Sequence, residues 1–327
     1  MKNNEVLISV KNVKQWFPIK KWFFEKQRYV KAVDDVTFDI YRGETLGVCG
    51  ESGCGKSTLL RTVLQLIPQT DGSVTYNGKE LSKISKKELN RIRKNIQIVF
   101  QDPYSALDNK MRVGDIIEEP MIINKVYKNK AERKEKVKEL MKQVGLDESY
   151  VDRYPHEFSG GQRQRIVIAR ALATLPEIFF CDEAVSALDV SVRAQILNLL
   201  EELQEKLKLT YMFVSHDLSV IEHICDRVII MYLGKIVEIE SKDDIFNNPK
   251  HPYTKALISS IPLVGMKNNE TRIMLKGDIP SPVNPPSGCR FHTRCPFAKE
   301  RCSKEIPELK ELNEGHKAAC LFMDDFN

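Results

Sequence analysis

Eight residues near the start of the chain, Gly50-Glu51-Ser52-Gly53-Cys54-Gly55-Lys56-Ser57, fit the pattern G-x-x-x-x-G-K-S/T. Glycines at these positions let backbone N–H groups curl around phosphate oxygens, and a helix opening at Lys56 adds the positive end of its dipole. Lys56 is placed to reach the β- and γ-phosphates of a nucleotide and Ser57 to ligate Mg²⁺. The expected nucleotide-binding set is Gly50, Ser52, Gly53, Cys54, Gly55, Lys56, Ser57 and Thr58. A second acidic site follows the apolar run Ile178–Cys181, which ends in Asp182-Glu183. Two adjacent carboxylates at the carboxyl edge of a sheet can divide the labour of phosphoryl transfer. Asp182 would hold Mg²⁺ through its shell, and Glu183 would polarise the attacking water.

These groups need a frame, and the hydrophobic pattern supplies one. Residues 6–48 alternate apolar and polar positions, as in Val36, Phe38 and Ile40, which predicts strands interrupted by a basic and aromatic insertion at 18–30. After the glycine loop, Leu59, Leu60, Val63, Leu64 and Ile67 recur at helical spacing until Pro68. Gly72–Gly78 reads as β structure and Ile96–Phe100 as a buried strand. From Pro103 to Tyr154 the chain is charged and helical, with Val137, Leu140, Met141 and Val144 in one apolar stripe. The alternation then resumes: a helix to Leu175, strand Ile178–Cys181, a helix carrying Val192, Ile196, Leu199, Leu200 and Leu203, and strand Tyr211–Val214. Buried strands alternating with helices predict an α/β fold with a parallel sheet covered on both faces.

The chain has 327 residues, of which 42% are hydrophobic and 29% charged, and this excludes disordered and fibrous classes. No apolar run approaches the roughly 20 residues of a bilayer-crossing helix. The first residues, MKNNEVLISV, lack an export signal, so a cytosolic location is expected. A net charge of +5 is mild. Basic residues do gather around Trp16, Phe17, Trp22, Phe23 and Phe24, but a solvated basic face outweighs nucleic-acid binding as their reading. Cys49, Cys54, Cys181 and Cys225 lie in apolar or glycine-rich segments and read as small hydrophobes.

Phe158-Ser159-Gly160-Gly161-Gln162 closely resembles the LSGGQ signature of ABC ATPases, with Phe in the first place. Ser159 and the N–H groups of Gly160 and Gly161 would open a helix, giving an anion-binding end for the γ-phosphate held by a second subunit. Further family elements follow in order. Gln101 looks like the Q-loop glutamine, Ser186-Ala187-Leu188-Asp189 like the D-loop, and His216 like the switch histidine. The resemblance implies that His216 contacts the γ-phosphate, that Gln101 senses Mg²⁺ and water, that Gln162 belongs to the nucleotide-binding signature, and that Asp189 couples two subunits. Phe17, by its offset before the core strands, resembles the aromatic that stacks on adenine, with Trp16 and Tyr29 as rivals.

The family often reads Asp-Glu-Pro-Thr where this chain has Asp182-Glu183-Ala184-Val185. That variant, the insertion after Phe17-Pro18, His251-Pro252-Tyr253-Thr254 and Gly277-Asp278-Ile279-Pro280-Ser281-Pro282 resemble the F-type ATPase subunit of oligopeptide and dipeptide importers. The resemblance implies a P-loop (RecA-like) core with an N-terminal antiparallel β subdomain, all within residues 1–242. It also implies a helical subdomain at about 103–158 and a Cys-rich C-terminal extension at 243–327. As partners it implies a D-type ATPase in a heterodimer, two membrane permease subunits and an extracytoplasmic peptide-binding protein, with the chain peripheral on the cytoplasmic face. The alternatives are nickel or oligosaccharide uptake by the same motor, and a soluble ABC machine for DNA repair or translation.

Cys289, Cys295, Cys302 and Cys320 crowd the tail without the close C-x2-C pairs of common zinc modules. Four local thiols suggest a metal, and the tail resembles one that carries a 4Fe–4S cluster in the peptide-importer subfamily. Zinc and unliganded thiols are the alternatives. His292 and His316 read as surface residues, and the Pro-rich tail as a segment that buries little.

Overall fold

The computed structural model describes residues 5–20, 27–261, 273–313 and 315–326. The chain forms two compact units, one from Ile84–Met212 and the other from Asn4–Lys83 with Phe213–Asn327. Trp22, Phe23 and Phe24 lie outside the described residues.

The unit of residues 4–83 and 213–327 begins with an antiparallel sheet. Strand β1 (Val6–Pro18) lies between β2 (Tyr29–Tyr41) and β4 (Asp71–Tyr76), and β5 (Lys79–Glu80) borders β4. Ile8 stands opposite Ile40 and Tyr76, Val10 opposite Phe38 and Val74, and these side chains are buried. The expected period-2 alternation is therefore a sheet with one covered face. Between these strands β3 (Thr45–Cys49), buried along its whole length, leads into helix α1 (Lys56–Val63).

Helix α1 stops short of Pro68. Gln65 turns left-handed at φ +52°, and the N–H groups of Leu66 and Ile67 both return to the Arg61 carbonyl, which closes the helix one turn early. Leu66, released from the core, is exposed.

The other unit contains α2 (Lys86–Arg93), β6 (Ile96–Val99), α3 (Pro103–Ala106), α4 (Val113–Asn124), α5 (Lys130–Gln143), α6 (Gly160–Leu172), β7 (Ile178–Asp182) and α7 (Val190–Leu207). Strands β6 and β7 are parallel, with Ile96 opposite Ile178 and Val99 opposite Cys181. Val137, Leu140, Met141 and Val144 are buried where α5 packs on α4 and α6, as their spacing predicts. Helix α6 ends at Leu172 rather than Leu175; Leu175 adopts φ +56° and faces solvent. Strand β8 (Thr210–Val214) then carries the chain back into the first unit.

There it continues as α8 (Leu218–Ile224), β9 (Arg227–Tyr232), β10 (Lys235–Ser241), α9 (Lys242–Asn247), α10 (Pro252–Ile258), α11 (Glu300–Lys304), β11 (Lys310–Asn313) and β12 (His316–Ala318). Strand β9 runs parallel to β3 and antiparallel to β10 across a Leu233-Gly234 turn in which both residues have positive φ. The tail departs from the sequence expectation in two ways. Its Pro-rich stretch 277–287 buries no residue, as expected, but the rest buries a good deal: β12 pairs with β10 and β11 with β12, and Phe291, 1% exposed, packs its ring edge-on to Tyr232 and tilted against Tyr253. His316 is not a surface residue either. Pairing of β12 on β10 sets its Nε2 2.8 Å from the buried carboxylate of Glu238.

Candidate functional site

The glycine loop joins β3 to α1, as its pattern demands. Gly55 is the residue before α1 and has φ +106°; a Cβ there would lie 2.0 Å from the Ala32 carbonyl oxygen. Gly50, at φ +153°, would meet the Met231 carbonyl at 2.2 Å. Both positions exclude any side chain. No side chain caps α1 and no acidic residue occupies its first turn, so its leading N–H groups retain their affinity for an anion. The Lys56 ammonium, almost fully buried, donates to the carbonyls of Gly50 at 2.7 Å and Glu51 at 3.1 Å, across the mouth of the loop. Burial pushes the Cys49 thiol up to about 12 and raises that of Cys54 against the opposing field of Lys56. Both therefore remain protonated and act as small hydrophobes.

In the same unit the N–H of Ser215 donates to the Val48 carbonyl at 3.1 Å, next to the end of β3. His216 follows it and is exposed, between that strand end and the Asp217 cap of α8. Phe17, one residue before the end of β1, stands opposite Val30 and is half-buried. Its rivals are engaged with each other. The Trp16 and Tyr29 rings lie 6.1 Å apart, Trp16 Nε1 donates to Asp34, and the Lys31 ammonium stands 4.7 Å over the Trp16 ring.

The other unit gathers the remaining candidates. The pairing of Val99 with Cys181 brings the carboxyl ends of β6 and β7 to one edge, where buried Asp182 ends β7 and exposed Gln101 lies two residues beyond β6. Glu183 adopts φ +52°, and its carbonyl accepts bonds from both the N–H and the hydroxyl of Ser186. A non-glycine residue in the left-handed region marks a strained turn of the kind found at functional sites.

Ser159 caps α6 in a reciprocal box: its hydroxyl accepts from the Gln162 N–H at 3.4 Å, and the Gln162 side chain accepts from the Ser159 N–H at 3.0 Å. In this arrangement Gln162 serves the helix end itself. Gly161 has a packing reason to be glycine, since a Cβ would come 2.3 Å from Val192 of α7. Asp189 caps α7 through the Val192 N–H, and that bond holds its carboxyl below the usual carboxylate range.

Sequence reasoning missed the arginines of α6. Arg163 donates to the Pro155 and His156 carbonyls, Arg165 to that of Val144, and Arg170 to that of Ala106 and to Glu119. These guanidinium groups tie the signature helix to the ends of its helical neighbours. The Arg163-Gln164-Arg165 run after the signature was the available signal.

Cys289, Cys295, Cys302 and Cys320 all line one small cavity with Phe291 and Phe322. Burial pushes the thiols of Cys289 and Cys295 up to about 11 and raises that of Cys320, and their neighbouring sulfurs add to the shift. Among the described residues no group of three or more His, Cys, Asp or Glu side chains is drawn together as a metal-ion site.

A strand, an uncapped glycine loop and a helix, with carboxylates at parallel strand ends and a serine-capped signature helix, define a nucleotide-binding cassette of the ABC class. Residues 33–186 match the family described as ABC transporter, and residues 237–302 that described as oligopeptide/dipeptide transporter, C-terminal region. The chain is 52% identical over 322 residues to the oligopeptide transport ATP-binding protein AppF of Bacillus subtilis (strain 168), covering 97% of this chain and 98% of the relative. It is 48% identical over 325 residues to oligopeptide transport ATP-binding protein OppF of Escherichia coli (strain K12), covering 98% and 97%. Among solved structures, cbiO1 from Clostridium perfringens superposes with a TM-score of 0.65 at 25% identity, over 75% of this chain and 92% of that one. The dimeric ATP-binding cassette MJ0796 bound to ADP and Pi gives 0.61 at 31% identity, over 72% and 98%. This chain belongs to the family of ATP-binding subunits of oligopeptide and dipeptide ABC transporters, and it is an ATPase. Among the described residues no helix is long and apolar enough to cross a membrane.

Proposed function

We propose that this ATPase is the motor of a peptide importer, binding MgATP between its own glycine loop and the signature serine of a paralogous D-type subunit. Two permease subunits and an extracytoplasmic peptide-binding protein complete the assembly, at the cytoplasmic face of the membrane. The observation that carries the reading is the uncapped start of α1 behind Gly55, with near full-length identity to peptide-transport relatives. Lys56 moves from the loop carbonyls to the β- and γ-phosphates, Ser57, Gln101 and Asp182 hold Mg²⁺, and Ser52, Gly53 and Thr58 offer N–H or hydroxyl donors. Glu183 orients the attacking water and accepts its proton, and His216 contacts the γ-phosphate. Phe17 stacks on adenine. Ser159, Gly160 and Gly161 face the partner's γ-phosphate, and Asp189 links the two subunits. Proteoliposomes with permeases, both ATPases and the binding protein should take up labelled peptide only with ATP. Uptake that persists without this subunit would end the proposal.

We propose that the cysteine cavity holds a 4Fe–4S cluster, supported by four thiols that line one hollow, although they are not drawn together as a metal site in this structure. Four thiols share one apolar-walled hollow, and burial together with the neighbouring sulfurs raises the cost of ionising Cys289, Cys295 and Cys320, which a cationic group would offset. The cluster would act as a structural staple for a Pro-rich segment. Zinc in the same thiols is the alternative to be tested.

A further inference from the structure

Glu51, the first variable residue of the phosphate loop, is fixed from three directions, and two of the ties come from the C-terminal segment. The Arg294 guanidinium forks onto its carboxylate, Nη1 to Oε2 at 2.7 Å and Nη2 to Oε1 at 3.1 Å. The Glu51 N–H donates to the Tyr253 hydroxyl at 2.9 Å. Its carbonyl accepts the Lys56 ammonium at 3.1 Å.

Both partners stand on firm ground. Tyr253 is fully buried at the start of α10, edge-on to Tyr232 at 4.7 Å, and burial keeps its phenol un-ionised. The Arg294 side chain is 8% exposed, beside the Tyr232 hydroxyl, and the Glu51 carboxylate is 24% exposed. A shielded, bidentate pair of this kind differs from an ordinary surface ion pair in both geometry and strength.

We propose that Arg294 and Tyr253 are positioning residues for the phosphate loop, so that affinity for MgATP is set partly by the C-terminal segment. Two effects follow from the geometry. Arg294 neutralises a carboxylate that would otherwise repel the polyphosphate from within the loop itself. Tyr253 and Arg294 together hold the Glu51 backbone in place, so its carbonyl does not follow Lys56 when the ammonium turns to the phosphates. A loop ordered in advance spends less of its binding free energy on ordering. The proposal rests on Gly50–Ser57 being the phosphate site.

The test is titration of the full-length chain with Mg²⁺ and the fluorescent probe trinitrophenyl-ATP, alongside steady-state ATPase kinetics. Arg294→Ala should weaken binding about tenfold. It should raise KM in proportion, with kcat changed less than twofold. Tyr253→Phe, which removes only the acceptor, should weaken binding several-fold. Arg294→Lys, which keeps the charge but loses the fork, should recover only part of the loss. If Arg294→Ala melts below the assay temperature, Tyr253→Phe and Arg294→Lys decide. Binding within twofold of the wild type in every folded variant would overturn the clamp. An Arg294→Lys protein as weak as Arg294→Ala would overturn the charge-neutralising part and assign the effect to the fork's geometry. Lys56→Ala is the separate control: if it binds the probe normally, the phosphate-site reading itself fails.

Discussion

Glu183 shows how much a single residue's backbone can say about its task. Its φ of +52° turns the chain sharply after buried Asp182, a conformation that costs an L-residue of order 1–3 kcal/mol and persists where the surroundings demand it. Glu183→Gln keeps the size and the turn while removing the proton acceptor. It should lower kcat roughly 10²- to 10⁴-fold and leave MgATP binding within about threefold. Unchanged turnover in rapid-quench assays would remove Glu183 from its role. Gly161 makes a different point, because packing by itself already requires a glycine there. A methyl there strikes Val192, so Gly161→Ala should destabilise the protein by about 1–3 kcal/mol in urea unfolding, and Val192→Ala in the same chain should return part of it. Equal loss in the single and double variants would show that the collision is not the cause.

At the scale of elements, the pairing of β12 with β10 places a buried charged pair where a surface residue is expected from sequence. The hydrogen bond to Glu238 raises the His316 pKa despite burial. For Glu238, burial pushes the pKa up, but bonds from His316 and the N–H groups of Lys250 and His251 counter it and the net shift is down. Buried His251, lowered to about 4 by desolvation, stays neutral. The signs give the pH profile. A raised histidine contributes stability that is full below its unfolded value of 6.5 and is lost as pH rises through the folded value. A lowered glutamate contributes above 4.5 and loses it as pH falls, and His251 subtracts between 6.5 and about 4, where only the unfolded chain takes up the proton. The melting temperature should therefore decline on both sides of mildly acidic pH, and His316→Gln should flatten the limb above 6.5. An unaltered limb in that variant would assign it to other groups.

Over the whole molecule, the C-terminal segment is a working part of the unit that carries the phosphate loop. It adds β11 and β12 to β10, buries Phe291, and reaches Glu51 through Arg294 and Tyr253. Its four cysteines supply the remaining prediction. Protein purified without oxygen should be brown, with about four irons per chain, and Cys302→Ser should abolish the colour and lower the melting temperature by several degrees. Colourless protein with stoichiometric zinc would replace the cluster with a zinc site.

The sequence alone determined the family and most of the frame. Gly50–Ser57, Asp182-Glu183 and Ser159–Gln162 are legible as motifs because each is a run of contiguous residues, and the strands and helices because their periodicities are local. Helix ends were less legible: α1 and α6 stop where Gln65 and Leu175 turn left-handed, a choice made by the surrounding packing and not by the nearest proline or leucine. Contacts between distant residues were not legible at all. Arg294 lies 243 positions from Glu51, and His316 lies 78 from Glu238. Nothing in either residue's neighbourhood along the chain encodes such a partner, because the pairing energy exists only once the sheet and its tail have closed around it.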